Sequence, residues 1–168
     1  KFKNLILFNY APKLDKFLSW SQQLIAESLG KKGKGFLPLI STAPKDHHSL
    51  LQLYIDGPKD KIFYIFSEEK HNSKKLKINR LDKRVNFLQN KSLQQVKNAQ
   101  KNAFINILKK NNIPFREFKI KSFSENTIGE FFSYFMLETA IVGKLANINP
   151  YNQPAVQKVK IDTVKLLV

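Results

Sequence analysis

Four side chains in this sequence of 168 residues have the types needed to move protons and hold an anion: Glu27, His48, Lys160 and Gln153. A carboxylate can carry a proton between two carbons, and an imidazole or an ammonium can act as acid or base at an oxygen. A glutamine amide can donate to a phosphate. Spacing alone leaves each with a plain alternative. Glu27 fits a solvated surface carboxylate near a helix end. His48 fits a capping or surface histidine, Lys160 one of many solvated lysines, and Gln153 an amide that satisfies a turn after Asn149-Pro150. Two further patterns are weaker than they look. Asp46-His47-His48 offers metal-ligating types, but adjacent histidines point to different faces and no third ligand follows at helical spacing, so no metal is expected. Lys31-Lys32-Gly33-Lys34-Gly35 lacks the frame of a nucleotide-binding loop and follows a helix instead of a strand. The chain has no cysteine, which excludes disulfides, thiolate metal sites and thiol nucleophiles.

Three segments, in order, carry more. The run Asn149-Pro150-Tyr151-Asn152-Gln153-Pro154-Ala155-Val156-Gln157-Lys158-Val159-Lys160 resembles the closing signature of the glucose-6-phosphate isomerase family. That signature reads aromatic, Asp or Asn, Gln, any residue, Gly, Val, Glu, any two, Lys. Ala155 stands where the family has Gly and Gln157 where it has Glu, while Val159 replaces a small residue beside Lys160. The stretch Trp20-Ser21-Gln22-Gln23-Leu24-Ile25-Ala26-Glu27-Ser28-Leu29-Gly30-Lys31 resembles the one that carries the catalytic glutamate. Asp46-His47-His48-Ser49-Leu50-Leu51-Gln52-Leu53-Tyr54-Ile55-Asp56-Gly57-Pro58 resembles the one that carries the ring-opening histidine, with His47 where the family usually has Gln. The resemblance runs from residue 1 to 168 and is thinnest between 68 and 122.

The resemblance implies an aldose–ketose isomerase that interconverts glucose 6-phosphate and fructose 6-phosphate through a cis-enediol. Glu27 would be the proton-shuttle base, and partial burial beside Trp20 would suit it to that task. His48 and Lys160 would serve in ring opening, and Gln153 would help hold the substrate phosphate. No metal and no cofactor are implied. The family is dimeric, and the site histidine comes from the neighbouring subunit, so a homodimer with His48 contributed across subunits is expected. The family also carries two sugar-isomerase domains. Residues 1–148 would be the second of them and 149–168 the tail helix with the Gln/Lys motif. The first domain, with its Ser/Thr-rich phosphate loop and its enediol-stabilising arginine, lies outside this chain. The arginines here are Arg80, Arg84 and Arg116, all downstream of Glu27. The chain alone is therefore expected not to catalyse the reaction. The alternatives are a non-catalytic sugar-phosphate-binding domain of the same fold and a basic module that meets an acidic partner.

Composition narrows the partners. The net charge of +16 rests on 29 basic residues, all but three of them lysine. Readers of bases and of bidentate phosphate geometry favour arginine. The abundance of Lys, Asn, Ile and Phe matches what AT-rich codons encode, so no nucleic-acid partner is expected. The apolar stretch from Phe131 to Ile148 is broken by Glu138 and Lys144, which argues against a membrane span. The chain begins at Lys1 without Met and has no signal-like opening, as expected of a piece of a longer cytoplasmic protein.

These candidates must be held by elements of alternating type. Leu5 to Phe8 reads as a buried strand. Pro12 opens a helix that Gly30 closes, with Leu14, Phe17, Leu18, Ser21, Leu24, Ile25, Ser28 and Leu29 as its inward stripe. Glu27 lies off the edge of that stripe. Phe36 to Ile40 and Ile62 to Phe66 read as strands, with a turn through Ala43-Pro44-Lys45-Asp46 and a short helix between them. The polar segment from Lys70 to Lys91 reads as a loop with a short strand near Leu76 to Ile78. Leu93, Val96, Ala103, Phe104 and Ile107 mark a long amphipathic helix, and Pro114 to Ile120 a strand. Thr127 to Ala146 is apolar on nearly every side, so a helix buried in a core or an interface is expected. A last helix starts at Pro154. Such alternation predicts an α/β three-layer sandwich of the sugar-isomerase type, with a parallel sheet flanked by helices and ligands at the carboxyl ends of its strands.

Overall fold

The structure is a computed structural model that describes residues 2–69, 75 and 82–168. Its sheet has four parallel strands: β1 (Asn4–Asn9), β2 (Leu37–Thr42), β3 (Lys61–Glu68) and β4 (Phe115–Ile120), in the order β2-β1-β3-β4. The central strand β1 pairs on both edges, with Leu7 opposite Ile40 on one side and Tyr64 on the other. Both of its faces are covered as well. That is why Leu5-Ile6-Leu7-Phe8 is apolar at every position instead of alternating.

The helices follow from the connections. α1 (Asp15–Leu29) links β1 to β2, after a single 3-10 turn at Pro12–Leu14. Two short helices, α2 (Asp46–Ser49) and α3 (Leu51–Asp56), link β2 back across β1 to β3. α4 (Leu93–Lys110) links β3 to β4, and α5 (Glu125–Leu145) follows β4. The chain steps one way from β1 to β2 and the other way from β2 to β3 and β4. Right-handed crossovers then put α1 on one face and α3 and α4 on the opposite face. The two cores agree. Leu5, Leu7 and Phe66 pack with Phe17, Leu18 and Phe135 from α1 and α5. Ile6, Phe8, Phe63 and Ile65 pack with Tyr54, Phe104 and Leu108 from α3 and α4. The expected α/β sandwich is therefore the architecture of the chain.

Local signals account for most boundaries. Ser92 accepts from the backbone of Gln95, whose side chain accepts from Ser92 in return, a capping box that starts α4. Ser124 caps α5 through the Thr127 amide. Leu14 just before α1, and Phe17, Leu18, Ser21, Ile25 and Leu29 within it, are buried as the stripe requires, while Leu24 and Ser28 are half-buried. Between β3 and α4 the segment contains a 3-10 turn at Lys83–Leu88, and Lys75 bridges Ser92. The strand expected near Leu76 to Ile78 lies outside the described residues.

The helix expected over Thr127 to Ala146 forms as α5, with one side in the core and the other left uncovered by the described residues of this chain. Phe135, Thr139 and Gly143 are buried, and Phe131 and Phe132 pack on Phe17. The sheet and α1 cover only that side. Tyr134, Leu137, Ile141 and Leu145 form an exposed outer stripe, with Leu145 at 82%. α6 (Pro154–Leu167) is exposed along its whole length.

Candidate active site

The glutamate and the tail meet. Gln153 Nε2 donates to Glu27 Oε2 at 2.6 Å, across 126 positions of sequence. Gln23 Nε2 donates to the other oxygen, Oε1, at 3.0 Å. Gln23 and Glu27 stand four residues apart on α1, where side chains overlie each other. Glu27 is half-buried in the last turns of α1, and Gln153 is the N-cap residue of α6. Between them lies a cleft of about 510 Å³, lined also by Gly30, Lys31, Asn149, Asn152 and Val156.

The cleft sits at an unexpected edge. α1 runs antiparallel to the strands, leaving β1 at its carboxyl end and returning to the start of β2. Its last turns, and the end of α5, therefore lie at the amino edge of the sheet. The expectation that ligands gather at the carboxyl ends does not describe this cleft. Helix ends and the tail build it, with no strand end taking part.

The environment expected for Glu27 also differs. Trp20 does not bury it. The indole packs in the aromatic layer between α1 and α5, with ring centroids 4.4 Å from Phe132 and 5.7 Å from Phe17. Seven residues separate Trp20 from Glu27, about 10 Å along a helix axis. Helical side chains also lean toward the N-terminus, so the indole covers an earlier turn. Two amides flank the carboxylate instead.

The histidines divide. His47 points inward: its Nε2 lies 2.5 Å from the Tyr10 hydroxyl, and its ring meets Phe8, Tyr10 and Phe104 edge-on. Burial, with a smaller contribution from His48, holds the His47 pKa below the usual histidine range. Burial also pushes the Tyr10 phenol well above its ordinary value. His48 is exposed on α2. Because α2 follows the carboxyl end of β2, His48 and Glu27 belong to opposite edges of one chain's sheet. Lys160 is exposed on α6, beyond the residues that line the cleft. The structure thus joins Glu27 with Gln153 and leaves His48 and Lys160 apart from them. Sequence reasoning missed Gln23, whose four-residue offset from Glu27 was the available signal, and Lys31, whose ammonium reaches the Asn149 carbonyl. Among the described residues, no three His, Asp or Glu side chains are grouped to hold a metal ion. None of the described helices is long and apolar enough to cross a membrane.

Comparison with known proteins follows the same lines. No family model matches the sequence. The chain is 34% identical over 161 residues to the glucose-6-phosphate isomerase of Methanocaldococcus jannaschii, covering 92% of this chain and 38% of the relative. It is 36% identical over 165 residues to the glucose-6-phosphate isomerase of Mycoplasmopsis synoviae, covering 96% and 38%. Among solved structures, a hypothetical protein from Thermus thermophilus superposes with a TM-score of 0.87 at 26% identity, over 99% of this chain and 42% of that one. A glucose-6-phosphate isomerase from Chlamydia trachomatis superposes with a TM-score of 0.75 at 16% identity, over 98% and 34%, which speaks for the fold alone. The chain spans little more than a third of the length of the curated relatives it matches.

Proposed function

We propose that this chain, homologous along 90% or more of its length to glucose-6-phosphate isomerases, is the part of such an enzyme that carries the proton-shuttle carboxylate and the tail. The observation that carries the reading is the 2.6 Å bond between Gln153 and Glu27. It joins two of the three family-like segments in one cleft, although they stand 126 positions apart. Nothing in a solvated helix-end glutamate or a turn amide requires that meeting.

In this reading Glu27 removes the proton from carbon two of the opened sugar and returns it to carbon one. A single carboxylate serves because both carbons of a cis-enediol face the same side. Acid and base are needed at the ring oxygen and its hydroxyl, and His48 and Lys160 have the right types for them. Gln153 turns the second N–H of its side-chain amide toward the substrate phosphate. His48 serves the sugar bound beside the Glu27 of a second subunit in a homodimer, which accounts for its place at the opposite edge of its own sheet. Residues 1–148 form one sugar-isomerase domain and 149–168 its tail. The phosphate loop and enediol-stabilising arginine come from elsewhere in the whole enzyme, and their electrostatic contribution is a large catalytic term.

The test is Glu27→Gln in an isomerase carrying this chain. Loss of C2 proton exchange with substrate binding retained is the expected result, and near-normal turnover would sink the assignment. The 168 residues assayed alone are expected to be inactive. Activity there that vanishes with Glu27→Gln would show that the remaining domain is dispensable.

A further inference from the structure

A second set of contacts ties the tail to the end of α1. Lys31 Nζ donates to the Asn149 carbonyl at 2.7 Å, and Lys34 Nζ to the Ala146 carbonyl at 2.6 Å. Ala146 is the C-cap of α5, where the last carbonyls have no partners within the helix and gather its partial negative charge. Two ammonium groups there are well placed electrostatically.

The loop that aims them is shaped for it. After Gly30 the backbone turns through left-handed conformations at Lys32 (φ 52) and Gly33 (φ 70), and then through Gly35 (φ 112). The turn closes with the Lys34 amide on the Lys31 carbonyl at 2.9 Å. A Cβ at Gly35 would stand 2.6 Å from the Leu29 carbonyl oxygen, so the close return of the loop onto the helix end requires glycine. Lys31 is half-buried, so its ammonium exchanges part of its water for the Asn149 carbonyl.

α6 has no buried residue to orient it. Its position on the domain therefore depends on its first residues and on the segment that leads into it. That segment is short. Ile148 and Asn147 close back on Gly143 and Lys144, and the Tyr151 amide donates to the Asn149 side chain at 2.9 Å. Fixing the Asn149 carbonyl therefore fixes where Gln153 begins.

We propose that Lys31 and Lys34 form a latch: two positioning residues that grip the Ala146 and Asn149 carbonyls and thereby hold Gln153 on Glu27. The functional side of this rests on the reading of Glu27 and Gln153 given above, whereas the latch itself does not.

The first measurement is therefore structural. The chain has no cysteine, so residues introduced at Ser19 on α1 and Lys158 on α6 take spin labels cleanly. The unaltered latch should give one narrow distance distribution. Lys31→Met with Lys34→Met should broaden it, and the paired arginine replacements should keep it narrow. Slow amide exchange in β1 and β3 verifies that each variant is folded, and the single methionine variants serve should the pair not fold. A narrow distribution in the folded methionine variants overturns the latch. The second measurement is kinetic, in an isomerase carrying the chain. Misplacement of a positioned group costs up to about 100-fold, so kcat should fall about tenfold or more in the methionine pair and recover with arginine. Broadened distances with unchanged kcat leave the latch standing and overturn the catalytic reading of the Glu27–Gln153 pair.

Discussion

His47 and His48 are neighbours in sequence with opposite surroundings, and the inward one makes a pH-dependent contribution. His47 is pressed among Phe8, Tyr10 and Phe104 and is held neutral by burial. Its folded pKa lies below the ordinary value of 6.5. The unfolded chain therefore takes up a proton that the folded chain refuses. The contribution to stability is full above about 6.5 and is lost as pH falls from there toward the folded pKa. Urea titrations at pH 7.5 and 5.5 check this. The native chain should lose more stability over that interval than His47→Gln, which keeps an acceptor for the Tyr10 hydroxyl but cannot titrate. Equal losses in both would remove His47 from the account.

At the scale of elements, the loop after α1 tolerates little change at Gly35. Gly35→Ala places a methyl against the Leu29 carbonyl at a backbone angle that L-residues rarely adopt. We expect a loss of about 1–3 kcal/mol, read as a shift in the denaturation midpoint at constant slope. Much of the element order could be read beforehand because its signals are local. The Pro12 opening, the Gly30 close and the apolar run of β1 each depend on a few adjacent residues. The enclosure of α5 could not be read in the same way. Apolarity records which side chains avoid water in the working protein, not which are covered by their own chain. The meeting of Glu27 with Gln153 came through resemblance, since periodicity placed Glu27 only at a stripe edge. Its amide partners, and the packing of Trp20 elsewhere, needed the third dimension.

On the scale of the whole molecule, the separation of His48 from Glu27 makes subunit exchange a decisive assay. An isomerase with Glu27→Gln and one with His48→Ala should each be inactive. In the homodimer proposed above, mixing by reversible dissociation gives pairs in which one site has both wild-type groups, so random pairing should restore about a quarter of the native activity. No recovery after demonstrated exchange would place both groups in the same subunit's site and overturn the shared arrangement.

The outer stripe of α5 has a colloidal consequence. Leu137, Ile141 and Leu145 on α5, with Val159 and Leu167 on α6, leave apolar surface facing solvent, while a net charge of +16 repels one copy from the next. The two forces respond oppositely to electrolyte. Repulsion between exposed charges is screened over about 10 Å at 0.1 M salt and about 3 Å at 1 M, whereas apolar attraction is not weakened. The isolated chain should therefore show a second virial coefficient that falls, and turns negative, as sodium chloride is raised from 50 to 500 mM. Leu137→Lys with Ile141→Glu, which breaks the stripe without changing net charge, should keep it positive. Static light scattering distinguishes the two, and a coefficient independent of salt in the native chain would mean that the stripe is not sticky.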